Sequence, residues 1–449
     1  MDIKDLYKLY QQHPCITTDS RDCPEGSIFL ALKGESFDGN KFAVQALEKG
    51  CAIAIIDDAT VIPADASIAG RLILVDNCLQ TFKDLAREHR QQFNIPVIGI
   101  TGTNGKTTTK ELISTVLQTK YNVLFTQGNF NNDVGVPKTL FRLNKDHQIA
   151  VIEMGASHPG DIKTLVNTAE PTSGLITNVG RAHLQGFGSF EGVKRTKGEL
   201  YDFLAEADDD SIDGGFIFVN TDDKDLMQML DDRHIIFTAG YGTVPTDDTS
   251  VLGKVVACDP YLRFKWCFFD ADDEQQEWFT VNTHLIGSYN IYNMLAAIAV
   301  GLYYEVDPQL INKALSGYEP TNNRSQLTET GHNHLIVDAY NANPTSMAAA
   351  LRNFRDMKVG PKMAILGDMR ELGDASAEEH QKTVDLIGEC GFDDVWLVGD
   401  EFAKTDCPYR KFADVDKVKE AIAREAPKDF YILIKGSNSM HLSQLPELL

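Results

Sequence analysis

Pro96-Val-Ile-Gly-Ile-Thr-Gly-Thr-Asn-Gly-Lys-Thr-Thr-Thr109 is the stretch whose reading decides the fold. An apolar, β-prone run enters a loop containing Gly102 and Gly105, and Lys106–Lys120 then shows helical spacing. Glycines let backbone N–H groups turn inward on phosphate oxygens. The start of the following helix adds the positive end of its dipole. In that frame Lys106 reaches the β- and γ-phosphates of a nucleotide, and Thr107 offers its hydroxyl to Mg²⁺. The general phosphate-loop pattern has glycine where this chain has Ile100, so what stands is Gly102-x-x-Gly105-Lys106-Thr107. The competing reading is a glycine turn ahead of a surface lysine. The order strand, loop, Lys-Thr, helix favours the phosphate site, although a switch GTPase, a kinase and a ligase all fit such a loop.

Outward from this loop, strand-like and helical runs alternate. Pro96–Ile100, Asn122–Thr126, Gln148–Glu153 and Gly174–Asn178 read as strands, and Lys106–Lys120 and Val193–Ala205 as helices between them. That alternation implies a parallel sheet with crossover helices. Glu206–Gly215 reads as an acidic loop and residues 240–283 as a β-rich insertion, with strands at Val251–Val256 and Leu262–Phe269. Upstream, Ile28–Leu32, Cys51–Ile56 and Arg71–Asp76 are short apolar runs, and Phe42–Lys49 is helical in pattern. Downstream, strands at Leu335–Ala339, Met363–Leu366, Val395–Val398 and Tyr431–Ile434 alternate with helices at Ser346–Met357, Ala377–Cys390 and Val415–Glu425. The expected fold class is therefore α/β with three domains. A small α/β domain (1–84) and a Rossmann-like domain (324–449) flank a central P-loop parallel-sheet domain (85–323).

In an open parallel sheet, ligands gather beyond the C-terminal strand ends. Gln148–Glu153 ends in an acid, and a carboxylate there can hold Mg²⁺ on a triphosphate. An ordinary strand-end acid is the alternative. Thr177-Asn-Val-Gly-Arg-Ala-His183 leaves a second strand on the same edge, which admits a metal role for His183 beside that of a core or surface histidine. Lys194-Arg-Thr-Lys197 lies on a predicted helix and reads, by charge alone, as a solvated cationic face.

Composition narrows the partners. The 449 residues carry 65 acids against 42 Lys and Arg, a net charge of −23, which repels nucleic acid and anionic membrane. The apolar stretch Met294–Tyr304 is far short of the ~20 residues that span a bilayer. Met1–Tyr10 lacks the apolar region of a signal peptide. The eight cysteines include no C-x-x-C pair and read as reduced thiols of a cytoplasmic protein.

Taken together, these residues resemble the Mur ligase superfamily of ATP-dependent amide-forming enzymes, and within it the branch that handles D-alanyl-D-alanine. Gly102, Thr103, Asn104, Gly105, Lys106, Thr107 and Thr108 match the ATP loop, and Gly180–Val193 followed by Lys197-Gly-Glu199 matches a second block. Asn129-Phe-Asn-Asn-Asp133-Val-Gly-Val-Pro137, with Asn131 and Asn132, resembles the muramyl-substrate loop. Asn290 and Asn293 resemble an adenine-contacting pair. Arg324 and then Asp338-Ala-Tyr-Asn-Ala-Asn-Pro344 resemble the join into the last domain. Leu366–Gly373 and Lys435-Gly-Ser437 are further blocks, and Asp19-Ser-Arg21 with Lys33–Phe42 resembles a UDP-binding segment. Tyr289 stands where many relatives have His. Turn and cap duties are the structural alternatives for these loops.

The resemblance implies joining of D-alanyl-D-alanine to UDP-N-acetylmuramoyl-tripeptide through an acyl phosphate, with ATP consumed. It implies Lys106, His183 and a carbamylated Lys197 as catalytic groups, and two Mg²⁺ ions held by Thr107, Glu153, His183 and Lys197. It further implies nucleotide contacts from Asn290, Asn293, Arg324 and Asp338, and substrate contacts from Ser20, Arg21, Phe37, Asn131, Asn132, Asn341, Lys435 and Ser437. A monomer in the cytoplasm is expected. The rivals are another ligase of the superfamily, such as a folylpolyglutamate synthase, which starts near its phosphate loop, and a P-loop switch module, which needs no Lys197.

Overall fold

Three sheets account for the chain. The computed structural model describes residues 2–206, 215–233, 235, 237–270, 276–320 and 326–449. The N-terminal sheet is fully parallel, in the order β1 (Ile16–Thr17), β2 (Ile28–Leu30), β3 (Ile53–Ile56), β4 (Leu72–Leu74). The central sheet contains β5 (Val97–Thr101), β6 (Val123–Phe125), β7 (Ile149–Glu153), β8 (Ser173–Ile176), β9 (Phe216–Asn220), β10 (Thr238–Gly242), β11 (Thr249–Cys258), β12 (Tyr261–Phe268) and β13 (Phe279–Ile286). Their spatial order is β13-β12-β11-β10-β9-β8-β5-β7-β6. The third sheet runs β14 (Gln326–Glu329), β15 (His334–Asp338), β19 (Tyr431–Lys435), β16 (Lys362–Gly367), β17 (Asp394–Val398), β18 (Arg410–Phe412), parallel except for the β14–β15 pair.

The expected α/β architecture is present, with one difference. The β-rich insertion does not form a separate layer. β11 pairs parallel with β10, and β11, β12 and β13 continue the same sheet as an antiparallel meander. Alternating burial along β12, with Leu262, Phe264 and Trp266 inside, explains this: one face packs on the central core and the other faces solvent. The expected loop Glu206–Gly215 lies outside the described residues between 207 and 214.

The helices that place the site are α1 (Cys78–Arg90), α2 (Lys106–Leu117), α3 (Asp161–Ala169), α4 (Phe190–Ala205), α5 (Asn290–Tyr303) and α6 (Pro344–Asp356). Among the described residues, none is long and apolar enough to cross a membrane. α1 begins in the N-terminal core with Cys78, Phe82 and Leu85 and passes into the central core at Ala86, so position 84 falls inside a helix. The buried Arg90 guanidinium donates to the carbonyls of Ala169, Phe93, Ile95 and Glu170. His89 donates from Nε2 to the Leu143 carbonyl (3.1 Å) and accepts from the Tyr7 hydroxyl at Nδ1 (3.0 Å).

That arrangement satisfies a neutral imidazole completely, and burial pushes the His89 pKa below its ordinary value of 6.5. The unfolded chain therefore binds the proton more readily than the native one. His89 stabilises fully above about pH 6.5, and its contribution is lost as pH falls through and below that value. The urea midpoint should drop between pH 7 and pH 5, and His89→Gln should remove part of that slope; an unchanged slope in the variant would contradict the assignment.

Candidate active site

β5, β7 and β8 are parallel neighbours, so their C-terminal ends open on one edge of the sheet. The phosphate loop leaves β5, Glu153 ends β7, and Thr177 and Asn178 follow β8. Gly102 has φ +142°, and a Cβ there would lie 2.0 Å from the Thr177 hydroxyl. Gly105 has φ +80° and caps α2 in the left-handed region. Both positions therefore demand glycine. The loop is sewn to the β8 end: Thr103 N donates to Asn178 O (3.0 Å), Asn104 N to Asn178 Oδ1 (3.1 Å), and Thr177 Oγ1 to Asn104 O (2.6 Å). Lys106 curls back, donating from Nζ to the carbonyls of Gly102 (2.7 Å) and Thr103 (3.1 Å).

Glu153 is buried, at 1% exposure. Its Oε1 accepts from Thr107 Oγ1 (3.1 Å) and from Asn131 Nδ2 (2.8 Å), while Oε2 has no hydrogen-bond partner. Lys110, also at 1% exposure, stands 3.9 Å from Oε2. Lys110 was not singled out from the sequence, although it lies one helical turn beyond Lys106. Asn131 thus positions Glu153, whereas Asn132 serves the turn, accepting from Gly135 N (2.8 Å) at the start of a short helix.

Lys197 is not a solvated cation. It lies on the buried side of α4 with Val193, Leu200 and Tyr201, and its ammonium sits over the Phe187 ring. Burial, seconded by the charge of Lys106, pushes its pKa well below the ordinary lysine value. Two residues on, Glu199 accepts from Gly160 N (2.9 Å) and Lys163 N (2.7 Å), capping α3. The motif thus combines a buried amine with the residue that fixes the neighbouring loop. His183 has φ +50° and contacts Glu371 of the third domain. Burial, together with the charges of Lys106 and Lys197, lowers its pKa against the opposing pull of Glu371.

These groups border a cleft of about 1060 Å³ between the central and third domains. Thr103–Thr108, Asn131, Asn132, Glu153 and His183 line it from one side, and Asp338, Asn341 and Lys435 from the other. Asn290 and Asn293 enter from α5, chained by an Asn293 Nδ2 to Asn290 Oδ1 bond (2.8 Å). The parallel register of β15 and β19 puts Asp338 level with Lys435, and the two pair. Tyr292 and Tyr340 also line the cleft, unforeseen from the sequence.

Other expected residues stand elsewhere. Gly102 lies beneath the loop against Thr177, and Lys197 lies behind the lining. Ser437 does not face the cleft: it accepts from Arg370 N (3.0 Å) and donates its own N–H to Asp368 O. Its hydroxyl is thereby used in holding the Leu366–Gly373 loop. Ser20, Arg21 and Phe37 follow the C-terminal ends of β1 and β2, apart from the cleft, with Arg21 bidentate on Asp19 and Phe37 exposed. Arg324 lies outside the described residues. Among the described residues no group of three or more His, Cys, Asp or Glu converges as a ready metal cage. A cation would complete its shell with phosphate oxygens and water, as Mg²⁺ does.

Comparison with known proteins agrees with this geometry. Family models for a Mur ligase catalytic domain, a Mur ligase middle domain and a Mur ligase glutamate ligase domain match residues 14–90, 100–301 and 323–438. The UDP-N-acetylmuramoyl-tripeptide–D-alanyl-D-alanine ligase of Bacillus subtilis is 35% identical over 96% of this chain and 92% of its own length. A crystal structure of MurF from Acinetobacter baumannii superposes with a TM-score of 0.84 at 31% identity, covering 96% of this chain and 92% of that one. The MurF ligase of Thermotoga maritima in complex with ADP gives 0.83 at 27% identity, covering 97% and 96%. With a loop built for phosphate, a buried amine beside it and full-length kinship at this level, the chain belongs to the Mur ligase family.

Proposed function

We infer that this protein is the ATP-dependent ligase that joins D-alanyl-D-alanine to UDP-N-acetylmuramoyl-tripeptide, giving the UDP-muramyl-pentapeptide of peptidoglycan synthesis. The observation that carries the reading is the 35% identity, over 96% of the chain, to a relative with that activity. The cleft supports it, because a phosphate loop lines one space closed by the third domain, with the buried Lys197 behind that lining. In this reading residues 1–84 hold the UDP end through Ser20, Arg21 and Phe37, residues 85–323 hold the triphosphate, and residues 324–449 close over it. The protein works as a monomer in the cytoplasm.

Amide formation from a carboxylate is uphill in water, so the tripeptide's terminal carboxylate is first phosphorylated by ATP. The amine of D-alanyl-D-alanine then attacks the acyl phosphate and phosphate leaves. Lys106, released from its loop carbonyls, neutralises the transferring phosphoryl group, and the loop N–H groups orient it. Asn290, Asn293, Arg324 and Asp338 hold the nucleoside. Asn131, Asn132, Asn341, Lys435 and Ser437 serve the acceptor side, Asn131 through Glu153 and Ser437 through the loop it braces.

The donor set fits two Mg²⁺ ions. Glu153, whose Oε2 has no hydrogen-bond partner, and Thr107 would hold one, and His183 with a carbamylated Lys197 would hold the other. When bound, Mg²⁺ supplies charge neutralisation between carboxylate and triphosphate. Burial lowers the Lys197 pKa and so favours the neutral amine, the form that reacts with CO₂; the resulting carbamate would offer oxygens where an ammonium would repel a cation.

Phosphate release should require ATP, Mg²⁺, the UDP-tripeptide and D-alanyl-D-alanine together; full-rate release without the peptide acceptor would sink the ligase reading. Lys106→Ala should cut kcat on the order of 10²-fold or more while leaving the circular dichroism spectrum intact. Lys197→Ala should lose most activity and regain part with acetate, and Lys197→Arg should be inactive. ¹³C-labelled CO₂ should give a carbamate resonance in the wild type that is missing in Lys197→Ala; a wild type without that signal would refute the modification.

A further inference from the structure

The third domain touches the phosphate loop itself through a pair of amide side chains. Asn343 Nδ2 donates to Asn104 Oδ1 at 2.8 Å, and Asn104 Nδ2 donates to Asn343 Oδ1 at 3.4 Å. The bond joins residues 239 positions apart. Each amide is fixed from behind. The Asn104 backbone is held on both sides by Thr177 and Asn178, which leaves its side chain to reach across the cleft. Asn343 caps α6, accepting from Ser346 N (2.9 Å), while its own N–H donates to Ser346 Oγ (3.1 Å). Asn343 is 6% exposed. The strip leading to it is rigid as well: Lys435 anchors Asp338, and Asn341 Oδ1 accepts from Ala342 N at 2.8 Å.

We propose that Asn343 is a positioning residue for phosphoryl transfer, setting the tip of the phosphate loop through Asn104 when the third domain is docked. The role rests on the ATP-ligase reading above. A reciprocal amide pair has both a donor and an acceptor on each side, so it aligns in one orientation and fixes distance as well as contact. It carries no net charge. Its neighbours across the same seam, Arg181 with Glu379 at 3.5 Å and His183 with Glu371, are charged or titratable. The amide pair therefore holds the loop independently of salt, which screens the exposed arginine's ion pair. In this proposal it acts on the loop's geometry in the docked state and makes no contact with the nucleotide, so its loss slows turnover and leaves ground-state nucleotide affinity in place.

The test separates this role from helix capping. Asn343→Ser keeps a capping oxygen but is too short to reach Asn104; Asn343→Ala loses cap and pair together. Full-length wild type, Asn343→Ser, Asn343→Ala, Asn104→Ser and the Asn104→Ser/Asn343→Ser double variant are compared for kcat, KM for ATP and melting temperature, at low salt and at about 0.5 M salt. Asn343→Ser should lower kcat about tenfold, the worth of two neutral hydrogen bonds at ~1.4 kcal/mol together. Its KM for ATP should stay within about twofold of wild type, its melting temperature should be near wild type, and the deficit should be equal at both salts. Asn343→Ala should add a loss of melting temperature. The double variant should be no slower than the worse single one. Wild-type kcat in Asn343→Ser, a KM that rises in step with the fall in kcat, or deficits that multiply in the double variant would each overturn the proposal. A wild type that releases no phosphate with the complete substrate set overturns the ligase reading, and the positioning role with it; an active wild type matched by Asn343→Ser overturns the positioning role alone.

Discussion

A carboxylate at 1% exposure is the constraint around which the site is organised. Removing an ion from water costs several kcal/mol even after relaxation. One cation about 4 Å away returns on the order of 4 kcal/mol at an effective dielectric near 20. Lys110 alone therefore does not hold Glu153 securely, and Thr107 and Asn131 add hydrogen bonds to its other oxygen. Those partners come from the helix after the phosphate loop and from the loop after β6, so satisfying one buried charge locks three chain segments at the sheet edge. The other oxygen is left with no hydrogen bond and with Lys110 3.9 Å away.

The third domain enters on the same terms. Asp338 and Lys435 sit level at adjacent strand ends because their strands are parallel and in register, and each offsets the other's burial. The cleft is thus bounded on both sides by groups whose charge is already compensated within the protein. A highly charged ligand meets directed donors there. This is what preorganisation of a phosphoryl-transfer site requires.

Much of this was legible in the sequence where the physics is local. The β5 run, the two glycines and the Lys-Thr step specify a phosphate loop from neighbouring residues alone. The burial of Lys197 was also written in the chain, but beneath a stronger signal. Val193, Lys197, Leu200, Tyr201 and Leu204 follow a helical stripe, whereas Lys194 and Arg195 beside them suggest a solvated face. The bond from Arg370 N to the Ser437 hydroxyl was not legible, because a motif records that a hydroxyl stands there, not what it bonds. The meander β11–β13 read as β-rich, yet its continuity with the main sheet depends on strand neighbours that no local pattern encodes. The contacts of Asn104 with Asn343 and of His183 with Glu371 depend on how two domains meet, so periodicity held no trace of them.

α1 has a kinematic consequence. Its first half is part of one core and its second half part of another, with Arg90 and His89 tying the far end into the central domain. A helix shared in this way is a stiff strut, not a joint. The first two domains are thus coupled through one helix, with the loops after β1 and β2 on the N-terminal side of it. No such shared helix crosses from the central domain into the third among the described residues; there the contacts are side-chain pairs across the cleft. Whatever binds at the loops after β1 and β2 is therefore held at a distance from the phosphate loop that a continuous helix sets, whereas the spacing across the third-domain seam is set by side-chain contacts such as Asn104 with Asn343.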